Sequence, residues 1–186
     1  MSAKHFFDSV YLTRFSQPKC DRVLYRFVKK HRVSNLIEIG ISDLQRSLRM
    51  IRLAGHASRG ETEVRYTGID LFEARSSDQS AMTLKETHRS FTQSGATVRL
   101  IPGDPVAALC RYANHLSGSE LLILSDIVDQ DLGSAWYYLP RMLSPDAVVF
   151  LESADAGSGQ SRFQMISADE VKRRAEAAER SEKRAA

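Results

Sequence analysis

Acidic side chains stand at the ends of five short apolar segments of the sequence. Each segment carries a carboxylate at its end or within a few residues after it. A carboxylate in such a place can accept hydrogen bonds from ribose hydroxyls or from an amine, and it can take up a proton as a general base. The residues at these positions are Glu38 with Gly40, Asp70, Asp104, Ser125 with Asp126, and Glu152.

The five segments have the length and composition of buried β-strands, and amphipathic stretches separate them. Strands are predicted at residues 35–40, 64–70, 97–101, 120–126 and 147–151, and helices at 42–55, 81–94, 106–116 and 132–143. This alternation predicts an α/β fold with a mainly parallel sheet and helices on both faces. Because the carboxyl ends of parallel strands share one edge of the sheet, we expect the acidic groups to converge there, where such sheets bind ligands.

The two ends of the chain lie outside this repeating pattern. Residues 3–32 predict one or two helices that Pro18 separates, and residues 163–166 predict a short sixth strand. Ser167 and Glu170 form a capping box at the start of a helix that has almost no apolar face. We therefore predict a single domain over 1–170, with N-terminal helices at 3–32 and a core at 34–152, followed by a charged tail at 171–186 that is helical or disordered.

Over residues 34–152 the sequence resembles the class I S-adenosylmethionine-dependent methyltransferases. The matching segments are Leu36–Gly40, Thr67–Asp70, Ile101–Asp104, Leu122–Asp126 and Leu139–Leu151. The resemblance implies a three-layer Rossmann-like sandwich with S-adenosylmethionine as the cofactor. It also implies methyl transfer to an unidentified acceptor, which we expect to be a small molecule.

The resemblance gives each strand-end residue an expected role in binding the cofactor. Asp70 would hold the ribose, and Asp104 would meet the adenine amine. Gly40 and Ser42 would contact the amino-acid moiety, and Glu38 belongs to the same cofactor-binding loop. A structural role remains open for the acidic residues. Glu38 could accept hydrogen bonds from backbone amides near its own loop, and Asp70 and Asp104 could cap helices or form turns.

Asp126, which follows the fourth strand, is the residue expected to accept a proton from the methyl acceptor. Some O-methyltransferases of this fold also place Mg²⁺ on carboxylates after the fourth and fifth strands, where Asp126, Asp129 and Glu152 stand here. Hard oxygen ligands of this kind suit Mg²⁺. Because Ser153 replaces the amide that often completes such a site, we expect no metal site and keep Mg²⁺ as the less favoured alternative.

The glycine loop suggests an alternative function. The family pattern Gly-x-Gly-x-Gly is here Gly40-Ile-Ser-Asp-Leu44, so two of its glycines are replaced. The alternative is a non-catalytic binding or scaffold protein of the same fold. Side chains of Ile41 or Leu44 that fill the space beside Gly40 would favour it. A nicotinamide-dependent oxidoreductase is disfavoured, because its Gly-x-Gly-x-x-Gly fingerprint is missing.

Composition limits the remaining classes of protein. The chain has 186 residues and 42% hydrophobic residues, which excludes a disordered chain, and its two cysteines form no C-x-x-C pair. The formal charge of +3 equals the charge of residues 171–186, so the first 170 residues are formally neutral and nucleic acid is disfavoured as a partner. We found neither a signal-peptide pattern nor a transmembrane segment, so we expect a cytoplasmic protein without membrane contact. Homo-oligomerisation stays open.

Overall fold

The computed structural model describes residues 3–58, 61–76, 79–125, 132–154 and 161–185. The strands are β1 Asn35–Ile39, β2 Arg65–Asp70, β3 Thr97–Pro102, β4 Ser119–Leu124, β5 Leu143–Ala154 and β6 Ser161–Ile166. The helices are α1 Ala3–Arg14, α2 Arg22–His31, α3 Leu44–Ala57, α4 Leu84–Thr92, α5 Pro105–Tyr112, α6 Leu139–Met142 and α7 Ala168–Ala185. Short 3₁₀ segments lie at Lys19–Asp21, Phe72–Ala74, Ala113–His115 and Gly133–Tyr138. Within these ranges, none of the helices has the length and hydropathy that crossing a membrane requires.

The strands form one sheet in the order β3-β2-β1-β4-β5-β6, in which only β6 runs antiparallel to its neighbour. The chain moves outward from β1 to β2 and β3, then returns to place β4 on the other side of β1. This reversal makes the carboxyl ends of β1 and β4 the switch point, which is the ligand site of open parallel sheets. The predicted α/β sandwich with a mainly parallel sheet is confirmed.

The core lies on both faces of the sheet. Side chains alternate along a strand, so Ile37 and Ile39 of β1 pack with the layer that includes α5 and α7. Leu36 joins the opposite layer, which includes α2, α3 and α4. Two helical layers therefore enclose the sheet and hold the ends of its strands in place.

Side-chain caps set where three of the helices begin. Asp43 accepts a hydrogen bond from the Gln45 amide at the start of α3, and Thr83 accepts one from Glu86 at the start of α4. The Asp104 carboxylate caps α5 in the same way. Each cap satisfies an amide that would otherwise have no partner in the first helical turn. These caps thus fix the first residues of the helices that follow β1, β2 and β3.

The C-terminal segment is helical, which is one of the two predicted alternatives, and it packs against the domain although its sequence shows almost no apolar face. It runs without a break through the predicted boundary at residues 170–171. Val171 and Ala178 are buried in the same core layer as Trp136, and the Arg174 guanidinium lies 4.7 Å from the Trp136 ring centroid. Small apolar residues on one face of α7 therefore suffice to pack it against the domain. The domain boundaries themselves stay a prediction.

Candidate functional site

The loop after β1 turns sharply at Gly40, which has a φ of +79°. Its amide donates to the Ile69 carbonyl of β2 over 2.8 Å. The next side chain, Ile41, is fully buried in the core layer of α2 and α3. The Ile41 side chain lies close to Gly68, because a Cβ atom added at Gly68 would stand 2.8 Å from Ile41 Cδ1. The loop is thus anchored by an apolar contact as well as by the glycine turn, and Leu44 packs partly against the same layer.

Asp70, the predicted ribose ligand, has both carboxylate oxygens occupied by groups of the protein. Oδ2 accepts from the Ile41 amide at 2.7 Å and from Arg75 Nη2 at 2.6 Å. Oδ1 accepts from the Phe72 amide at 2.9 Å and from Arg75 Nε at 2.7 Å. These four bonds use the acceptor sites that a carboxylate offers. A ribose hydroxyl can therefore bond Asp70 only if one of these donors moves.

The donors to Asp70 are of two kinds, backbone amides and the side chain of Arg75. Phe72 is buried and has a φ of +49°, which is uncommon for a residue that is not glycine. Arg75 also donates to the Ile41 carbonyl at 2.6 Å and to the Ser80 carbonyl at 2.9 Å. Because Arg75 reaches Asp70 by a long side chain, it is the donor that can be exchanged without moving the backbone.

A second cluster joins Ser42, Arg46 and Glu152 at the carboxyl ends of β1 and β5. Ser42 Oγ donates to Glu152 Oε2 at 2.6 Å, and Arg46 Nη1 donates to Glu152 Oε1 at 2.9 Å. Arg46 Nη2 lies 2.6 Å from Ser42 Oγ and 3.5 Å from Glu38 Oε1. The Tyr66 hydroxyl completes the cluster by donating to Glu38 Oε2 at 2.6 Å. Ser42, predicted to contact a cofactor, is here bound to Glu152.

This cluster buries two carboxylates around one guanidinium, and their pKa values move in opposite directions. Burial raises the pKa of Glu38, and the Arg46 charge opposes that rise without overcoming it. Burial acts on Glu152 in the same sense, but the Arg46 charge and hydrogen bonds from Arg46 and Ser42 together lower its pKa. Asp21 lies near the cluster, and burial raises its pKa too. The cluster therefore favours ionised Glu152 and resists ionisation of Glu38.

Asp104 lies at the edge of the sheet, apart from that cluster. Its Oδ1 accepts from the Ala107 amide at 2.9 Å, which is the helix-cap role that the sequence left open. The preceding Gly103 has a φ of +125° and donates its amide to the Asp70 carbonyl over 2.9 Å. Asp104 is exposed and lines a cavity of about 390 Å³ together with Ile101. The structure thus places Asp104 beside an open space, adjoining the strand end that carries Asp70.

Asp126 and Asp129 lie outside the described residues, so the predicted general base stays a prediction. The neighbouring Ser125 is described, and its amide donates to the Ile39 carbonyl at 3.1 Å. In the part of the chain that the structure describes, no group of three or more His, Cys, Asp or Glu side chains is arranged to hold a metal ion. Both oxygens of Glu152 are bonded to Arg46 and Ser42.

The sequence interpretation missed Arg46 and Arg75. Arg46 could have been found, because it stands at helical spacing with Met50 and Leu53, and all three are buried on α3. A charged residue on the apolar stripe of a helix signals a buried partner. Arg75 has no comparable signal, because it lies in an irregular segment whose course only the folded chain defines.

Comparisons with known proteins agree with this architecture. The sequence matches no protein-family model and no curated protein. Among solved structures, the chain is similar to the O-methyltransferase TomG from Streptomyces achromogenes in complex with SAM, with a TM-score of 0.53 and 13% identity over 83% of this chain and 67% of that one. It is also similar to cofactor-bound Rv0187 from MTB, with a TM-score of 0.54 and 16% identity over 97% of this chain and 75% of that one.

The chain has the fold of the class I methyltransferases. The methyltransferase fold accounts for the strand order and for the glycine turn between β1 and α3. It confirms the resemblance at the level of the fold. At these sequence identities the roles of individual site residues stay predictions.

Proposed function

We propose that this chain binds S-adenosylmethionine and transfers its methyl group to a small-molecule acceptor. The observation that carries the proposal is the position of Asp70. Its buried carboxylate closes β2 beside the glycine turn of β1, in a methyltransferase fold, and bonds the amide of Ile41 in that turn. A carboxylate accepts hydrogen bonds from ribose hydroxyls, which makes Asp70 the natural ribose ligand.

The residues at the strand ends fit the cofactor on one condition, which is that Arg75 releases Asp70. Asp104 needs no such change, because only its Oδ1 is used in the cap and, among the described residues, none donates to Oδ2. That oxygen is free to accept from the adenine amine. Gly40 and Ser42 would lie against the amino-acid moiety, and Glu38 would fix Arg46 beneath them.

The cofactor supplies an electrophilic methyl group on a sulfonium, so the protein's main task is to align the acceptor with it. Asp126, which stands two residues after the end of β4 in the sequence, would take the proton of an acceptor hydroxyl or amine. Arg46 balances the charge of Glu152 and Arg75 balances that of Asp70, so the described strand ends would act on the cofactor by positioning it and not by a surplus of negative charge.

Isothermal titration calorimetry with S-adenosylmethionine and S-adenosylhomocysteine tests the proposal. We expect saturable binding of both. Asp70→Asn should weaken it about tenfold or more, because the amide nitrogen cannot accept the hydrogen bonds that a carboxylate oxygen accepts. Asp169→Asn on α7 is the matched control and should bind like the wild type. No heat at high concentration of folded wild-type protein would rule out cofactor binding.

A non-catalytic binding protein of the same fold is the second candidate. The fully bonded Asp70 and the buried Ile41 favour it, since both fill the loop region with the protein's own groups. This candidate predicts either no cofactor binding or binding without turnover. Release of S-adenosylhomocysteine, on incubation of the protein with S-adenosylmethionine and a panel of phenols, amines and carboxylates, would show that the chain is an enzyme.

A further inference from the structure

Charge is distributed unevenly along the chain, although the first 170 residues are neutral as a whole. Residues 1–34 contain eight lysines and arginines and two aspartates, a formal charge of +6. Residues 35–170 contain twelve lysines and arginines and eighteen aspartates and glutamates, which gives a formal charge of −6. The N-terminal helices therefore form a basic layer on an acidic domain. Strong local charge of this kind attracts a polyanion.

The basic residues of this layer line a groove between α1 and α2. The groove has a volume of about 810 Å³ and is lined by Thr13, Arg14, Arg26, Lys29 and Lys30. Arg26 is anchored, since its Nε donates to the Thr13 carbonyl at 3.0 Å. Arg14, Lys29 and Lys30 are exposed, and none of them forms a hydrogen bond or ion pair with another described residue. Three cations without counter-charges thus face one groove from two helices.

Exposed aromatic rings lie on the same helical layer. Phe7, Tyr11 and Phe15 follow one another at intervals of four residues, which places them along one side of α1 and its continuation. Their exposed fractions are 69%, 54% and 61%. Large rings seldom lie in solvent together in this way, and a row of them offers flat surfaces on which bases can stack.

We propose that the α1–α2 layer binds single-stranded nucleic acid, with phosphates in the basic groove and bases on the aromatic row. The rings do not line the groove itself, but Tyr11 stands three residues before Arg14 on the same helix, so rings and cations share one side of α1. Cations along a groove combined with such rings bind single strands without sequence preference. A bilayer is flat and would not enter the groove. A second copy of the chain would bring a layer of like charge. This proposal differs from our expectation from net charge alone, which stays untested, and it is independent of methyl transfer.

Fluorescence anisotropy with a labelled 20-nucleotide oligouridylate tests the proposal. We expect binding at low salt, with a slope of log K against log salt of about −2, since each phosphate neutralised on a single strand contributes roughly −0.7. The combined change Arg14→Glu, Lys29→Glu, Lys30→Glu should weaken binding at least about tenfold and flatten the slope. Neutralisation by Lys29→Gln with Lys30→Gln is the milder second variant and should give a smaller loss.

The matched control reverses three exposed charges on α7, by Lys172→Glu, Arg173→Glu and Arg180→Glu, so that the net charge changes equally. This α7 variant should bind the oligonucleotide with an affinity within about threefold of that of the wild type, because the three changed residues lie outside the groove. Tyr11→Ala with Phe15→Ala should weaken binding about tenfold without changing the salt slope. Circular dichroism should show that every variant is folded.

The proposal is overturned by any of three results. One is no binding of the oligonucleotide at low salt. Another is an equal loss in the groove variant and the α7 variant, which would indicate attraction by overall charge alone. The last is a preference for anionic phosphatidylserine vesicles over the oligonucleotide in a sedimentation assay, which would make the layer a membrane surface instead.

Discussion

The Arg75 guanidinium binds both carboxylate oxygens of Asp70, with Nε 2.7 Å from Oδ1 and Nη2 2.6 Å from Oδ2. Both side chains are almost fully buried. This two-point pairing is the strong and directional form of the ion pair. If Asp70 holds a ribose, the guanidinium and the ribose hydroxyls need the same oxygens. Arg75 is then an internal competitor of the cofactor.

Removal of Arg75 should therefore raise the affinity for the cofactor. We expect Arg75→Ala to bind S-adenosylmethionine about five- to tenfold more tightly, because the apparent affinity falls by the fraction of molecules whose site is blocked. Calorimetry measures the change. Arg65→Ala is the matched control, since Arg65 is exposed at the opposite end of β2 and should leave affinity unaltered. An unchanged or weaker affinity in Arg75→Ala would show that Arg75 supports the site instead of blocking it.

Arg46 should be essential for stability. Arg46→Met keeps much of the side-chain volume but leaves Glu38 and Glu152 buried without their shared partner. Loss of one member of a buried ion cluster lowers the free energy of unfolding by about 3–5 kcal/mol. Urea unfolding at pH 7 measures the loss. Arg52→Met on the exposed side of α3 should alter stability by less than about 0.5 kcal/mol. A loss below about 1 kcal/mol for Arg46→Met would mean that the two carboxylates are not held by Arg46.

The stability difference between the wild type and Glu38→Gln should depend on pH. Burial raises the pKa of Glu38 in the folded protein above its ordinary value of 4.5, so folding favours the protonated carboxyl. The stabilising effect is complete below pH 4.5 and is lost as the pH rises through the raised pKa. The free energy of unfolding of Glu38→Gln, minus that of the wild type, should therefore increase from pH 4 to neutral pH.

Urea titrations at several pH values provide this comparison. Glu152 has a lowered pKa and contributes stability above its ordinary value of 4.5 that is lost as the pH falls through its folded pKa. The wild type and Glu38→Gln both keep Glu152, so the contribution of Glu152 largely cancels in the difference between their free energies of unfolding. A difference that stays constant or decreases with pH would argue that Glu38 is ionised as readily in the folded state as in the unfolded state.

Helix α7 should contribute to the stability of the domain. Val171→Ala removes two methyl groups from a residue that is 1% exposed against the core, and we expect a loss of about 1–2 kcal/mol. Thermal unfolding followed by circular dichroism measures it. Lys172→Ala, the next residue and an exposed one, should stay within about 0.5 kcal/mol of the wild type. Equal melting temperatures for the wild type and both variants would mean that the packing of α7 does not stabilise the domain.

The fold could be predicted because its signals are local. Apolar runs ending at Gly40 and Asp70, with amphipathic stretches between them, already define strands, helices and a parallel sheet. The cap role of Asp104 was also local, since the carboxylate and the amide that it accepts from are three residues apart. The aromatic stretch before β5 was less regular, and the structure forms a 3₁₀ segment at Gly133–Tyr138 where the sequence predicts one α-helix.

The partners of the strand-end carboxylates could not be predicted in this way. Arg46 meets Glu152 across 106 positions of sequence, and Arg75 meets Asp70 across five positions of an irregular segment in which periodicity gives no signal. Periodicity shows which face a residue occupies, but it does not show which distant side chain will share that space. The sequence by itself determined the strands, the helices and the edge at which the carboxylates gather. Only the tertiary structure decided that three of these carboxylates, Glu38, Asp70 and Glu152, pair with arginines. Arg46 reaches Glu152 because the folded sheet brings distant segments within hydrogen-bond distance, and Arg75 turns back onto Asp70 because the folded loop also gives it the Ile41 carbonyl as a partner.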